Sequence, residues 1–168
     1  MYVAGWESTN AILWENGEAE ILFNSFYGAY STSVFVSGKD VYVAGVKEAF
    51  SSVGAGSTTY SGKFFTNGAE QNLNIRHPNS VYVSNDDVYI VGNMYFQGTP
   101  DGTKLWKNGE EQYLTGIGIS ANSVYVSGDN VFMAGRDIET AILWKNEKIQ
   151  NLTDGTRSAS ANFVFVVE

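Results

Sequence analysis

Residues Ser123–Gly135 read SVYVSGDNVFMAG, two short apolar runs on either side of a Gly-Asp-Asn turn. The same unit stands at Ser33–Gly45 as SVFVSGKDVYVAG and at Ser80–Gly92 as SVYVSNDDVYIVG, with one Ser-to-Gly distance throughout (45 − 33 = 92 − 80 = 135 − 123 = 12). A fourth copy is split: FVFVVE at 163–168 supplies its first half and MYVAG at 1–5 its second. Self-similarity at a fixed spacing marks a repeat architecture, and a unit divided between the two ends is what a ring fastened by its own termini would show.

A second unit follows each first one. AILWENGEAEILF (Ala11–Phe23), GKFFTNGAEQNL (Gly62–Leu73), TKLWKNGEEQYLT (Thr103–Thr115) and AILWKNEKIQNLT (Ala141–Thr153) keep one aromatic-to-leucine distance (22 − 14 = 73 − 65 = 114 − 106 = 152 − 144 = 8). Asn-Gly at 16–17, 67–68 and 108–109 is a strong hairpin signal, because both residues tolerate the positive φ of a type I′ turn. Each repeat is thus two hairpins, or four strands. The near-unbroken apolar runs of the first two strands demand cover on both faces. Four-stranded units recurring at about 40 to 47 residues predict propeller blades. The expected fold is an all-β, four-bladed β-propeller in a single domain over 1–168, with blades 162–168 plus 1–24, 33–73, 80–115 and 123–153. It is closed by pairing of the C-terminal strand with the N-terminal one. The alternative is a strand-exchanged dimer, two chains forming an eight-bladed ring.

Composition narrows the function classes. The absence of cysteine excludes disulfides and thiolate metal sites. A formal charge of −8 with ten scattered Lys and Arg argues against nucleic acid, whose affinity depends on clustered cations. No apolar run approaches the length of a membrane helix, so no membrane insertion is expected. The start, MYVAGW, has neither region of a signal peptide; an exported or cell-surface form would have had its leader removed.

The repeated VYVAG, LWKNG and NLT elements resemble those of uncharacterised bacterial propeller-repeat proteins, many of them exported. The architecture is similar to that of tachylectin-type sugar-binding propellers. The resemblance covers the whole chain and implies a fold; no sugar-binding motif of the tachylectin type matches position by position.

Within each blade the hairpin turns keep their length, whereas the link from Gly to the aromatic varies (14 − 5 = 9, 65 − 45 = 20, 106 − 92 = 14, 144 − 135 = 9). Strand alternation puts the variable links on one face, where loops on a rigid scaffold carry binding groups. After the closing Gly the blades carry Trp6, Val46, Asn93 or Arg136, then Glu7, Lys47, Met94 or Asp137, so a regular scaffold is expected to display an irregular site. Candidate ligand-binding residues are Trp6, Glu7, Tyr27, Tyr30, Tyr95, Phe96, Arg136 and Asp137. Phe26, Phe50 and Tyr60 lie on neighbouring links. Aromatics beside polar groups suit sugar faces, small planar ligands or a partner's side chains. Trp14, Phe65, Trp106 and Trp144 recur once per blade and are expected to pack between blades instead.

Catalysis has little support. The single histidine, His77, has no partnered nucleophile in any recognisable motif, and turn residues Asp40, Asp86, Asp87 and Asp129 read as turn formers accepting hydrogen bonds from their own turns, not metal ligands. Glu7, Glu48, Asp137 and Glu139 leave a two-carboxylate glycosidase as the low-ranked enzymatic alternative. The sequence therefore predicts a non-enzymatic binding module without cofactor or metal, for glycan or protein ligands. The alternatives are a structural or assembly unit, and sequestration of a charged metabolite or nucleotide by Arg136 and Lys47.

Overall fold

The near-unbroken apolar runs do become strands. The computed structural model describes all residues except 52–56, 72, 97–98, 116–117, 147 and 168; for 51, 57, 95, 96, 99–101 and 115 it describes the backbone but not the side chain. The chain divides into two compact units, 1–78 and 79–168. Among the described residues there is no helix long and apolar enough to cross a membrane.

In the first unit, β1 (Tyr2–Glu7), β2 (Asn10–Glu15) and β3 (Glu18–Asn24) form one antiparallel sheet, and β4 (Ala29–Ser37), β5 (Asp40–Ser51), β6 (Ser57–Thr66) and β7 (Ala69–Gln71) form the next. Two further sheets follow: β8 (His77–Ser84), β9 (Asp87–Phe96), β10 (Thr99–Lys107) and β11 (Glu110–Thr115), then β12 (Ile119–Ser127), β13 (Asn130–Asp137), β14 (Thr140–Lys145) and β15 (Lys148–Asn151). Each is a plain meander in chain order, so the two-hairpin reading of the repeat holds. The first strands begin at Ala29, His77 and Ile119, earlier than the repeated serines suggested.

The Asn-Gly pairs adopt the positive φ expected of them: Asn16 52° with Gly17 92°, Asn67 51° with Gly68 77°, and Asn108 50° with Gly109 99°. Their side chains also tie neighbouring turns together. Asn67 Oδ1 accepts from Val41 N at 2.8 Å while its Nδ2 donates to Asp40 Oδ1 at 2.7 Å, and Asn108 repeats this with Val88 N (2.8 Å) and Asp87 Oδ1 (2.6 Å). Asp40 and Asp87 therefore accept from the adjacent hairpin, where the sequence suggested a bond within their own turn.

At 45 and 135 the Gly that closes the Ser-to-Gly unit owes its place to a β-bulge. Pairing slips between Ser31 and Ser33 and between Ala121 and Ser123, leaving Thr32 and Asn122 extra. The bulged strand crowds its partner: a Cβ on Gly135 would stand 1.9 Å from Ser120 O, and one on Gly45 would stand 2.7 Å from Tyr30 O. A bulge re-aims a side chain, and here it sends Thr32 Oγ1 to Pro78 O (2.7 Å) and Asn122 Nδ2 to Ala161 O (3.0 Å); Asn79 Nδ2 makes the same reach to Ala121 O (2.7 Å).

Core packing follows the repeat. In 1–78, Leu13, Val43 and Phe65 are buried together, with Phe23 stacked on Phe65 at 5.3 Å. In 79–168, Tyr89, Val91, Leu105, Val124, Met133 and Trp144 form the corresponding core. Phe65, Trp106 and Trp144 are buried, as expected of between-sheet packing, whereas Trp14 is half-buried.

The first sheet departs from the expectation of four strands. It contains three, and 162–167 forms no strand. The segment is nevertheless seated: Val164 N donates to Ser123 Oγ at 3.3 Å, and the Phe165 ring meets Tyr125 at 5.0 Å.

Candidate functional site

The link 24–28 is held by short-range hydrogen bonding. Gly28 N donates to Ser25 O (3.2 Å), closing a turn, and Ser25 Oγ donates to the carbonyl of Glu48. Glu48 N returns the bond to Gly28 O at 2.9 Å. Gly28 sits at φ 138°, and the Glu48 side chain would lie 3.2 Å from any Cβ added there. The turn is thus fastened to β5 from both sides, and its two tip residues, Phe26 and Tyr27, are pushed outward.

There they meet a third ring. Phe26 contacts Tyr27 edge-on at 5.2 Å, and Tyr27 stacks on Phe50 at 5.7 Å and 23°. The three are 89%, 51% and 51% exposed. Phe50 reaches this position because β5 and β6 extend beyond Gly45 and Phe65 as a paired arm, with Glu48 opposite Tyr60 and Phe50 opposite Thr58. A row of exposed aromatic faces held by a hydrogen-bonded turn contributes little to the core, and exposed apolar patches of this kind mark interaction sites.

The other candidates divide. Tyr30 is half-buried in β4, opposite Val46. Trp6 is 65% exposed, opposite Ala11, and Glu7 is exposed beside the β1–β2 turn. In 79–168, Arg136 is exposed and Asp137 half-buried, opposite Ala141 and Thr140 respectively. Tyr95 and Phe96 continue β9 opposite Pro100 and Thr99, and their side chains lie outside the described residues.

The position after the closing Gly does not display four chemistries. Val46 and Asn93 are buried. Asn93 Oδ1 accepts from Ala121 N (3.0 Å) and from Thr103 Oγ1 (3.2 Å), which makes it a pin between sheets. The residue is polar because it satisfies a bulged backbone, a role invisible in the chain. Of this set only Trp6 and Arg136 face solvent. The residue that sequence reasoning underrated is Phe50; its signal was the unusually long Gly-to-aromatic link.

His77 packs its ring on Tyr60 at 4.4 Å. Burial first, and the charge of Arg76 second, hold its pKa below the ordinary 6.5. The neutral ring is favoured in the folded state, so its contribution to stability is complete above pH 6.5 and is lost as pH falls below that value. The difference in unfolding free energy between the wild type and His77→Gln should therefore widen from pH 5 to pH 7.5, as measured by urea titration; a gap independent of pH would refute the assignment.

A cleft of about 490 Å³ opens within 79–168 over Leu105, Leu114, Val131 and Met133, with the Lys107–Asp87 ion pair (2.7 Å) among its lining residues. That pair lowers the Asp87 pKa and raises that of Lys107. A smaller cleft of about 260 Å³ within 1–78 is walled by Leu13, Leu22, Val41 and Val43, the same repeat positions. The two clefts are where successive sheets splay and follow from the repeat itself. Among the described residues, no cluster of three or more His, Asp or Glu is arranged to hold a metal ion. No protein-family model matches this chain, and no curated protein matches its sequence.

Proposed function

We propose that this chain is a non-enzymatic binding module: a β-propeller whose blades are the four sheets, taking neutral glycans on the row Phe26–Tyr27–Phe50. The single observation that carries the reading is that row, three rings linked through Tyr27, each at least 51% exposed. Aromatic rings bury large apolar areas with little conformational freedom to lose, and one C–H face of a sugar ring is apolar. The Thr58 and Thr59 hydroxyls and the Glu48 carboxylate belong to the same arm and supply polar neighbours. A formal charge of −8 disfavours polyanionic ligands. Preorganisation is the mechanism: the turn is already hydrogen-bonded to β5, so little ordering remains to be done on binding. The propeller reading is supported by three meanders of one pattern and by the repeated bulge-to-carbonyl hydrogen bonds.

Tyr27→Ala should weaken binding to a glycan identified by array and calorimetry about tenfold or more, ~1.4 kcal/mol, with the melting temperature unchanged. Wild-type silence across neutral oligosaccharides would sink the glycan reading. The second reading, a protein ligand, is favoured by Phe26, whose 89% exposure is that of an anchor awaiting a pocket.

A further inference from the structure

The tight turns keep their length from repeat to repeat, yet the larger of the two clefts opens between them. Its walls belong to one compact unit, 79–168: Tyr89, Leu105 and Leu114 come from the third sheet, and Val126, Val131 and Met133 from the fourth. Turns supply its rim, with Asn85 between β8 and β9, Glu110 at the start of β11, and Asp129 between β12 and β13. Pockets for small molecules run from roughly 300 to 1,000 Å³. This cleft, at about 490 Å³, lies inside that range, and its counterpart in 1–78, at about 260 Å³, lies below it.

The two clefts share their apolar positions: Leu13 and Leu22 match Leu105 and Leu114, and Val41 and Val43 match Val131 and Met133. Their polar positions diverge. Where the smaller has Glu15, Glu20 and Lys39, the larger has Lys107, Gln112 and Asp129. In the smaller cleft the Glu20 carboxylate reaches across toward the turn of the opposite sheet, to 3.8 Å from where a Cβ on Gly68 would stand. In the larger, four carboxylates (Asp87, Glu110, Glu111 and Asp129) stand with one ammonium, Lys107, among the described lining residues. Lys107 is held by Asp87 at 2.7 Å and lies over the Tyr89 ring, while Glu111 is held by Lys104 at 2.8 Å. That leaves Glu110 and Asp129, from two different sheets, with no ion-pair partner among the described residues.

We infer that this cleft is a second binding site, separate from the aromatic row, for a small organic cation: an ammonium or amidine group on an apolar body of about one ring. The body seats on Leu105, Leu114, Val131 and Met133, where its area leaves water. The charged group stays at the rim with Glu110 and Asp129. Apolar contact supplies the affinity and the carboxylates supply the sign. A neutral body gains nothing from the rim, and an anion is repelled both by it and by the chain's formal charge of −8.

Calorimetry on the whole chain with 2-phenylethylammonium should show one site with a Kd below about 1 mM. The neutral 2-phenylethanol and the bodiless methylammonium should each bind at least about fivefold more weakly. Asp129→Lys places at this turn the lysine that the second sheet already carries at Lys39, so the turn tolerates it, and it should weaken the cation about fivefold or more with the melting temperature unchanged. Glu139→Lys makes the same charge reversal beyond the other end of β13 and should leave the affinity nearly unaltered, as should Tyr27→Ala. Absence of cation binding at that concentration would overturn the site. Equal affinity for the alcohol would overturn the cation, equal affinity for methylammonium the apolar floor, and an equal loss in Glu139→Lys the placement in this cleft.

Discussion

Gly135→Ala is expected to destabilise the protein by about 3 kcal/mol or more, in the upper range for overpacked sites. The added methyl would stand 1.9 Å from Ser120 O and 2.9 Å from the Ala121 Cα. Both obstacles are backbone, and both belong to the bulge that frees Asn122 for its bond to Ala161 O. No rotamer relieves the clash; either the bulge straightens or β12 and β13 separate. Gly128→Ala is the control. Gly128 sits at φ 56°, with nothing within 4 Å of the added carbon, so only the left-handed backbone is penalised, at about 1 kcal/mol. Denaturant titration of the two variants should rank Gly135 well above Gly128. The reverse order would mean that turn conformation, not the crowding of the bulge, selects glycine in the repeat.

Trp144→Ala should cost ~3–5 kcal/mol, the usual range for deleting a buried aromatic. Its side chain is 1% exposed, within the cluster of Val91, Leu105, Val124 and Met133. Its Nε1 is buried without a hydrogen-bond partner, which penalises the folded state. Trp144→Phe should therefore lose much less than the alanine variant, since it removes the unsatisfied donor and leaves the ring that Phe65 supplies at the same repeat position in the second sheet. Trp6→Ala should change stability by no more than about 0.5 kcal/mol, because the Trp6 side chain is 65% exposed. Were Trp6→Ala the more damaging of the two, the division between packing tryptophans and exposed ones would be inverted.

How much of this was legible in the chain differs from residue to residue. The Asn-Gly pairs announced hairpins because positive φ is a local property, and the structure has it at Asn16, Asn67 and Asn108. The recurrent aromatics announced burial because eight-residue spacing puts each at the same point of the same strand, and Phe65, Trp106 and Trp144 are buried. The exposed row was half legible. Phe26 and Tyr27 stood out as a cluster, but Phe50 joins them only because β5 and β6 pair beyond the sheet as an arm, and that pairing depends on a partner about ten residues away. Asn93 was misread as displayed. Its direction is set by the bulge at Ala121–Ser123 in a different sheet, whose amide N–H it accepts.

The sequence by itself determined the meander, its period, its turns and the identity of its packing aromatics, because each rests on interactions within a strand or between neighbours in the chain. Only the tertiary structure decided which link residues face solvent, why glycine stands at 45 and 135, and that 162–167 lies against Ser123 and Tyr125. Those outcomes depend on what approaches from another sheet. Bulges are settled by backbone groups, which look alike in every residue of a sequence.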